Sequence, residues 1–251
     1  PREEPTLTVS PEEQSLEEKA KAELAIRILT RKRLLPFVER FNPDYRAGWV
    51  HKDICRRLEQ FSRSVSAKES PRLMLFMPPR HGKSTLASVA FPAWHLGRNP
   101  THEFISCSYS GSLAMAFSRK VRGLLREEGY RTAFKTRLDP QSQSAEAWLT
   151  TTGGGYVAAG VGGGITGKGA HVLVIDDPIK NRDDAESTNA RDSTWDWYTS
   201  TAYTRLAPGG GVLVILTRWH DDDLAGRLLK AASDHGEQWE VVNYPARAEV
   251  D

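Results

Sequence analysis

Residues 73–77, Leu-Met-Leu-Phe-Met, form a short apolar run that stops at Pro78-Pro79-Arg80-His81-Gly82-Lys83-Ser84 and passes straight into helix-compatible sequence. A buried strand, a tight loop and a helix start in that order make a phosphate-binding loop. Gly lets the backbone approach an oxyanion, Lys reaches the β/γ-phosphates, and Ser places a hydroxyl on Mg²⁺. The following helix adds free N–H groups and the positive end of its dipole. Pro79, Arg80, His81, Gly82, Lys83, Ser84 and Thr85 are therefore the expected nucleotide-binding segment. The pattern is deviant, because Met77 stands where the first Gly of G-x-x-x-x-G-K-[ST] belongs.

The chain has 251 residues, 39% of them hydrophobic, enough for one substantial core in one or two domains. A formal charge of +2 argues against a surface coated for nucleic acid or membrane, while leaving room for a local basic patch. Cys55 and Cys107 show no ligand spacing and read as small buried hydrophobes, with neither a disulfide framework nor a structural metal expected. No apolar stretch approaches the roughly 18 residues of a membrane span, and no signal-peptide pattern opens the chain. The cytoplasm is the default compartment. Opening at Pro1 and stopping at Asp251 just past an expected strand, the sequence reads as a piece of something longer.

Residues 1–12 read as a flexible tail. Helices are predicted over Ser15–Phe37 and about Val50–Phe61. Strands at Leu73–Met77 and Glu103–Tyr109 then alternate with helices at about Lys83–Trp94 and Ser112–Glu128, the last with Leu113, Ala116, Phe117, Val121, Leu124 and Leu125 on its apolar stripe. Val172–Ile175 and Val212–Leu216 are uniformly apolar, as strands of a parallel sheet buried on both faces should be. Tyr156–Ala159 is a short strand within a Gly-rich stretch whose glycines fit tight turns better than mobile loops. A helix over Asp222–Ser233 and a strand over Trp239–Tyr244 follow. The fold class is α/β, with βαβ units building a mainly parallel sheet.

Val172-Leu-Val-Ile175 ends in Asp176-Asp177-Pro178, two carboxylates at the carboxyl edge of a buried strand, where open α/β sheets bind ligands. Asp-Asp-Pro also suits a plain strand exit. Paired with the upstream loop, Asp176 becomes the Mg²⁺ ligand and Asp177 the candidate general base for attack on a γ-phosphate. Asp is shorter than Glu, so the backbone or a well-placed water must bring it within about 3 Å of the nucleophile. The next apolar strand ends in Thr217-Arg218-Trp219-His220. Thr217 and Arg218 can sense the γ-phosphate and couple its loss to the domain; the alternative is a polar turn with Asp222 capping the next helix.

These segments, with Ser106-Cys-Ser-Tyr-Ser110, Gly164-Ile-Thr-Gly-Lys-Gly169 and Trp195-Asp-Trp-Tyr198, resemble the N-terminal DNA-packaging ATPase domain of tailed-bacteriophage large terminase subunits. The resemblance spans roughly Phe41 to Asp251 and places residues 1–40 in a tail and helical extension. It implies a RecA-like P-loop ATPase fold with helices flanking the sheet, and ATP hydrolysis driving double-stranded DNA into a procapsid. ATP and Mg²⁺ are the implied cofactors. The implied partners are double-stranded DNA, further copies in a ring, a portal protein and a small terminase subunit, with no membrane. The implied place is the cytoplasm of an infected bacterium, outside the mature virion.

Carried over by position, Lys83 and Ser84 bind phosphate and Mg²⁺, Asp176 completes the metal shell, Asp177 is the catalytic acidic residue and Thr217 the coupling residue. Trp49 and His51 lie where the family contacts adenine; Trp49 serves equally well as core. A trans-acting basic finger falls at Lys168, or at Arg80, Arg119 or Arg122. The family's C-terminal nuclease has no counterpart in these residues, so no cleavage is expected. Basic residues between Arg119 and Arg137 mark either a DNA contact or a solvated helix face. A superfamily 2 helicase or translocase half, a non-hydrolysing nucleotide-binding scaffold and a small-molecule kinase are the competing readings.

Overall fold

The computed structural model describes residues 11–245 except Thr166, Lys168 and His235. Three helices come first: α1 (Pro11–Lys32), α2 (Leu34–Phe41) and α3 (Trp49–Ser66). Strand β1 (Arg72–Phe76) leads through the loop to a π-helical turn (Thr85–Ala90) and α4 (Phe91–Arg98). Then come β2 (Glu103–Ser108), α5 (Gly111–Arg126), α6 (Glu128–Ala133), β3 (Leu138–Gln143), β4 (Ala147–Thr150) and β5 (Gly155–Gly160). The chain continues with β6 (Ala170–Asp176), α7 (Arg182–Glu186), α8 (Thr188–Trp197), β7 (Leu206–Leu216), α9 (Leu224–Ser233) and β8 (Glu240–Asn243).

The strands form one eight-stranded sheet in the order β3-β4-β5-β2-β6-β7-β1-β8. From β5 to β8 every neighbouring pair is parallel, and β3-β4-β5 is an antiparallel margin. Every residue of β1 is buried, and Val172–Ile175 and Val212–Leu216 are at most 3% exposed. Helices cover both faces, which is why these strands are continuously apolar rather than alternating. One face packs on α2–α5 through Phe37, Leu58, Trp94, Phe104 and Val121. The other packs Ile105, Leu173 and Val214 against Trp197, Leu224 and Leu228. Cys55 and Cys107 are buried, and burial pushes both thiols up to about 12. No helix among the described residues is long and apolar enough to cross a membrane.

The N-terminal helical region differs from expectation. Its first helix begins at Pro11, inside the expected tail, and breaks at Arg33, which is extended (φ −129°, ψ 138°). Pro36 has no N–H to donate and is tolerated only in a first turn, so the helix must restart just before it. Buried Glu59 completes the break: it accepts the Leu34 N–H at 2.7 Å and pairs with Arg33 at 2.9 Å. The glycines do form turns, as Gly153 at the β4–β5 connection shows with φ 91°. On α5 the buried positions are Ala114, Phe117, Ser118, Val121 and Leu125, with Ala116 only half-buried. Ser118 is there because it accepts the Trp148 indole N–H at 3.0 Å.

Candidate active site

The register brings the chemistry together. Phe76 lies beside Leu216, and Ile215 beside Asp176, so β1, β7 and β6 end side by side. The residues that follow them, Met77, Thr217 and Asp177, share one sheet edge. Lys83, whose side chain is 5% exposed, reaches this line from the loop. Its Nζ lies 2.6 Å from Thr217 Oγ1 and 3.0 Å from Asp177 Oδ2. Thr217 Oγ1 donates to the Met77 carbonyl at 3.2 Å, and the Thr217 N–H donates to Asp177 Oδ1 at 2.9 Å. A buried ammonium needs such partners, since desolvation alone would disfavour its charge.

The backbone here is strained where the side chains converge. Arg80 (φ 64°) and Gly82 (φ 81°) lie in the left-handed region that turns the loop, and Asp177 (φ 45°) lies there too. The Asp177 N–H bonds Ile215 O at 2.8 Å and its carbonyl accepts the Tyr109 N–H at 3.1 Å, so both neighbouring strands hold that conformation. A non-Gly residue there costs on the order of 1 kcal/mol. The backbone turn thereby brings the short Asp177 side chain to Lys83 of the loop.

Asp176 is different. It is 1% exposed; Oδ2 accepts the Ser88 hydroxyl at 2.5 Å, and Oδ1 is buried without a hydrogen-bond partner. Burial, then the neighbouring Asp177 charge, pushes its carboxyl up to about 6, against the opposing pull of Ser88, Ser84 and Lys83. A buried carboxylate with one oxygen open beside a serine hydroxyl is a hard-oxygen donor set that fits Mg²⁺. Among the described residues no three His, Cys, Asp or Glu side chains form a metal cage. A cation at Ser84 and Asp176 would therefore complete its shell with water and phosphate oxygens, as Mg²⁺ does.

Other expected residues take their places around this centre. His51 Nδ1 accepts the Gly48 N–H at 3.0 Å, so its Nε2–H donates to the His81 carbonyl at 3.2 Å and braces the loop from α3. His81 Nδ1 in turn donates to the Pro79 carbonyl at 2.8 Å, tightening the loop from within. Trp49 is 73% exposed, so it is not core; its ring lies 6.1 Å from that of Tyr244. Pro79, Arg80 and Thr85 are exposed.

Arg218 is not drawn into the line of Lys83, Thr217 and Asp177. Its Nε donates to Asp223 at 2.7 Å and its guanidinium sits 5.1 Å from the Phe76 ring. The expected cap at Asp222 is corrected to Asp223, which accepts the Gly226 N–H at 2.9 Å. Asp222 instead pairs with Arg191 at 3.2 Å and Arg227 at 2.7 Å. Arg122 is spent on the Gln143 carbonyl, Arg119 is exposed, and Lys168 lies outside the described residues. The reading from sequence missed Ser88. Its signal was a hydroxyl one turn after Ser84 within otherwise apolar Leu86-Ala-Ser-Val-Ala90.

Residues 74–251 match the family model described as terminase large subunit, T4likevirus-type, N-terminal. The crystal structure of the bacteriophage HK97 large terminase is similar, at 15% identity and a TM-score of 0.56, over 88% of this chain and 45% of that one. A large terminase from a thermophilic bacteriophage aligns at 14% identity and a TM-score of 0.43, over 72% of this chain and 40% of that one. The same thermophilic-phage protein in complex with ADP aligns at 11% identity and a TM-score of 0.42, over 74% and 45%. The chain thus spans less than half the length of these solved structures. Among curated proteins no sequence matches it.

Proposed function

Because the chain belongs to the T4likevirus-type family of terminase large subunits, by its N-terminal domain, we propose that it is the ATP-hydrolysing unit of a motor that drives double-stranded DNA into a procapsid. The observation that carries this reading is the convergence of Asp177 and Thr217 within 3.0 Å of Lys83 Nζ, at the edge where Asp176 holds an open oxygen. Residues 41–251 make up the ATPase unit and residues 1–40 its extension.

In this reading Lys83 exchanges its partners for the β/γ-phosphates, and the exchange frees Asp177 from its ion pair. Asp177 then accepts the proton of the attacking water. Ser84 and Asp176 would hold Mg²⁺, which would neutralise charge developing on the phosphates. Thr217 bonds both Lys83 and Asp177, so loss of the γ-phosphate alters its contacts first. The next residue, Arg218, carries that change to Asp223 and the start of α9. Trp49, exposed two residues before the His51 that braces the loop, offers a stacking face to adenine. Arg80, or Lys168 from a neighbouring copy in a ring, supplies a basic finger.

DNA contact falls to the basic run on α5, α6 and the approach to β3. There Arg119, Lys120, Arg126, Arg131 and Lys135 are exposed, and none pairs with a carboxylate within 4.0 Å among the described residues. A portal protein and a small terminase subunit complete the proposed assembly, working in the cytoplasm of an infected bacterium. The test is ATP turnover across protein concentration, with and without duplex DNA. Turnover that rises with both supports the motor. Tight ATP binding with no phosphate release in either condition would make the chain a binding scaffold instead.

A further inference from the structure

Ser88 is a buried residue that meets the candidate site through Asp176. It is 0% exposed, it sits on the π-helical turn one turn beyond Ser84, and its hydroxyl donates to Asp176 Oδ2 at 2.5 Å. The turn is π-helical for a local reason. Pro92 has no N–H to give the Ser88 carbonyl, and the Phe91 N–H bonds Leu86 O, five residues back.

The consequence lies in the carboxylate. Among the described residues Asp176 has no ion-pair partner within 4.0 Å, and the Ser88 hydroxyl is its one side-chain hydrogen bond within 3.5 Å. A carboxylate tied at one oxygen by a short, charge-assisted hydrogen bond is restrained about its last torsion, which favours one direction for its other oxygen. Ser108, the register neighbour of Asp176 on β2, is also fully buried, yet its hydroxyl has no partner and takes no share in fixing it. Ser84 and Ser88 belong to one continuous helical segment. Ser84, one ligand of the proposed cation site, and Ser88, which holds the other, are therefore carried on the same helical segment.

Resting on the ATPase reading above, we propose that Ser88 is a positioning residue for the divalent cation: by holding Asp176 Oδ2 it aims Oδ1 at the ion that Ser84 also binds. Residues that orient metal ligands in this way typically change affinity about 10–100-fold when removed. A merely structural serine, filling space and satisfying its own hydroxyl, would alter stability and leave cation affinity alone.

The experiment uses the 251-residue chain, a fluorescent ATP analogue and a titration of Mg²⁺. Ser88→Ala should bind the analogue in EDTA as the parent does, while the Mg²⁺ concentration that half-saturates the cation-dependent signal rises about tenfold. Ser88→Thr, which keeps the hydroxyl, should restore it to within about threefold. If Ser88→Ala does not fold by thermal melting, Ser88→Cys replaces it; its weak S–H donor should give a rise between those of Thr and Ala. A folded Ala or Cys variant with the parent's Mg²⁺ midpoint overturns the proposal. Asp176→Asn separates the two levels: if it abolishes the cation-dependent signal while Ser88→Ala changes nothing, only the Ser88 role falls. If Asp176→Asn also leaves the signal intact, the cation-site assignment itself fails.

Discussion

Strand β6 carries His171 near its start and Asp176 at its end, and the two ends of the sheet treat buried polar groups in opposite ways. At the amino end the Ser62 hydroxyl lies 2.8 Å from His95 Nδ1, His95 Nε2 lies 3.0 Å from His102 Nδ1, and the His102 ring stacks on His171 at 4.4 Å and 11°. Burial, then neighbouring positive charge, keeps His95 well below its ordinary value and lowers His102 to about 4. These groups are held neutral, and buried His95 at their centre has both ring nitrogens bonded. At the carboxyl end the groups are charged, three residues adopt left-handed backbone, and one buried carboxylate oxygen stays open. A closed neutral network is what stability selects; charge held under strain with an open valence is what a site requires.

Breaking the carboxyl end should show this first. Lys83→Ala removes the proposed phosphate ligand and leaves Asp177 without its cation, so phosphate release should fall by about 10³-fold or more; unchanged release would contradict the assignment. Asp177→Asn should lower turnover by about 10²- to 10⁴-fold while ATP binding persists. A matching loss of binding would make Asp177 a ligand rather than the base.

The amino end should respond through stability alone. The unfolded chain protonates its histidines near about 6.5, whereas the folded His102 resists until about 4. Stability is thus fully present above about 6.5 and declines as pH falls toward about 4. Thermal melts from about pH 7 to 4 should show that decline, and His102→Phe should make it shallower, with His95 and His171, both also lowered, still contributing and turnover per folded molecule unchanged. The smallest effect is expected at Trp49, 73% exposed. Trp49→Ala should raise the KM for ATP about fivefold if the ring stacks on the base, with no change in melting temperature.

The strands of the parallel core were legible because burial on both faces makes β1, β6 and the Val212–Leu216 part of β7 largely apolar, while β2 sets Phe104, Ile105 and Cys107 among buried serines. Strand β3 was not. Its Leu-Asp-Pro-Gln-Ser-Gln sequence carries Pro140, which only an edge strand tolerates. Helices α7 and α8 were missed as well, being short and polar, with starts fixed by side-chain caps from Asn181 and Ser187. At the site, spacing along the chain located Lys83, Asp176, Asp177 and Thr217, and strand order then placed them together. Arg218 diverged from Thr217 because adjacent residues leaving a strand point to opposite sides. Ser88 escaped notice because its contact depends on how the π-helical turn crosses β6, which no local pattern encodes.

The central claim is that a triphosphate enters between Lys83 and the Asp176–Asp177 pair. The direct measurement is a structure of the chain with Mg²⁺ and a non-hydrolysable ATP analogue. The account predicts the Lys83–Asp177 pair, 3.0 Å apart here, opened with the γ-phosphate against Lys83 Nζ and the cation against Ser84 and Asp176. Nucleotide bound elsewhere, with that pair still closed, would contradict it.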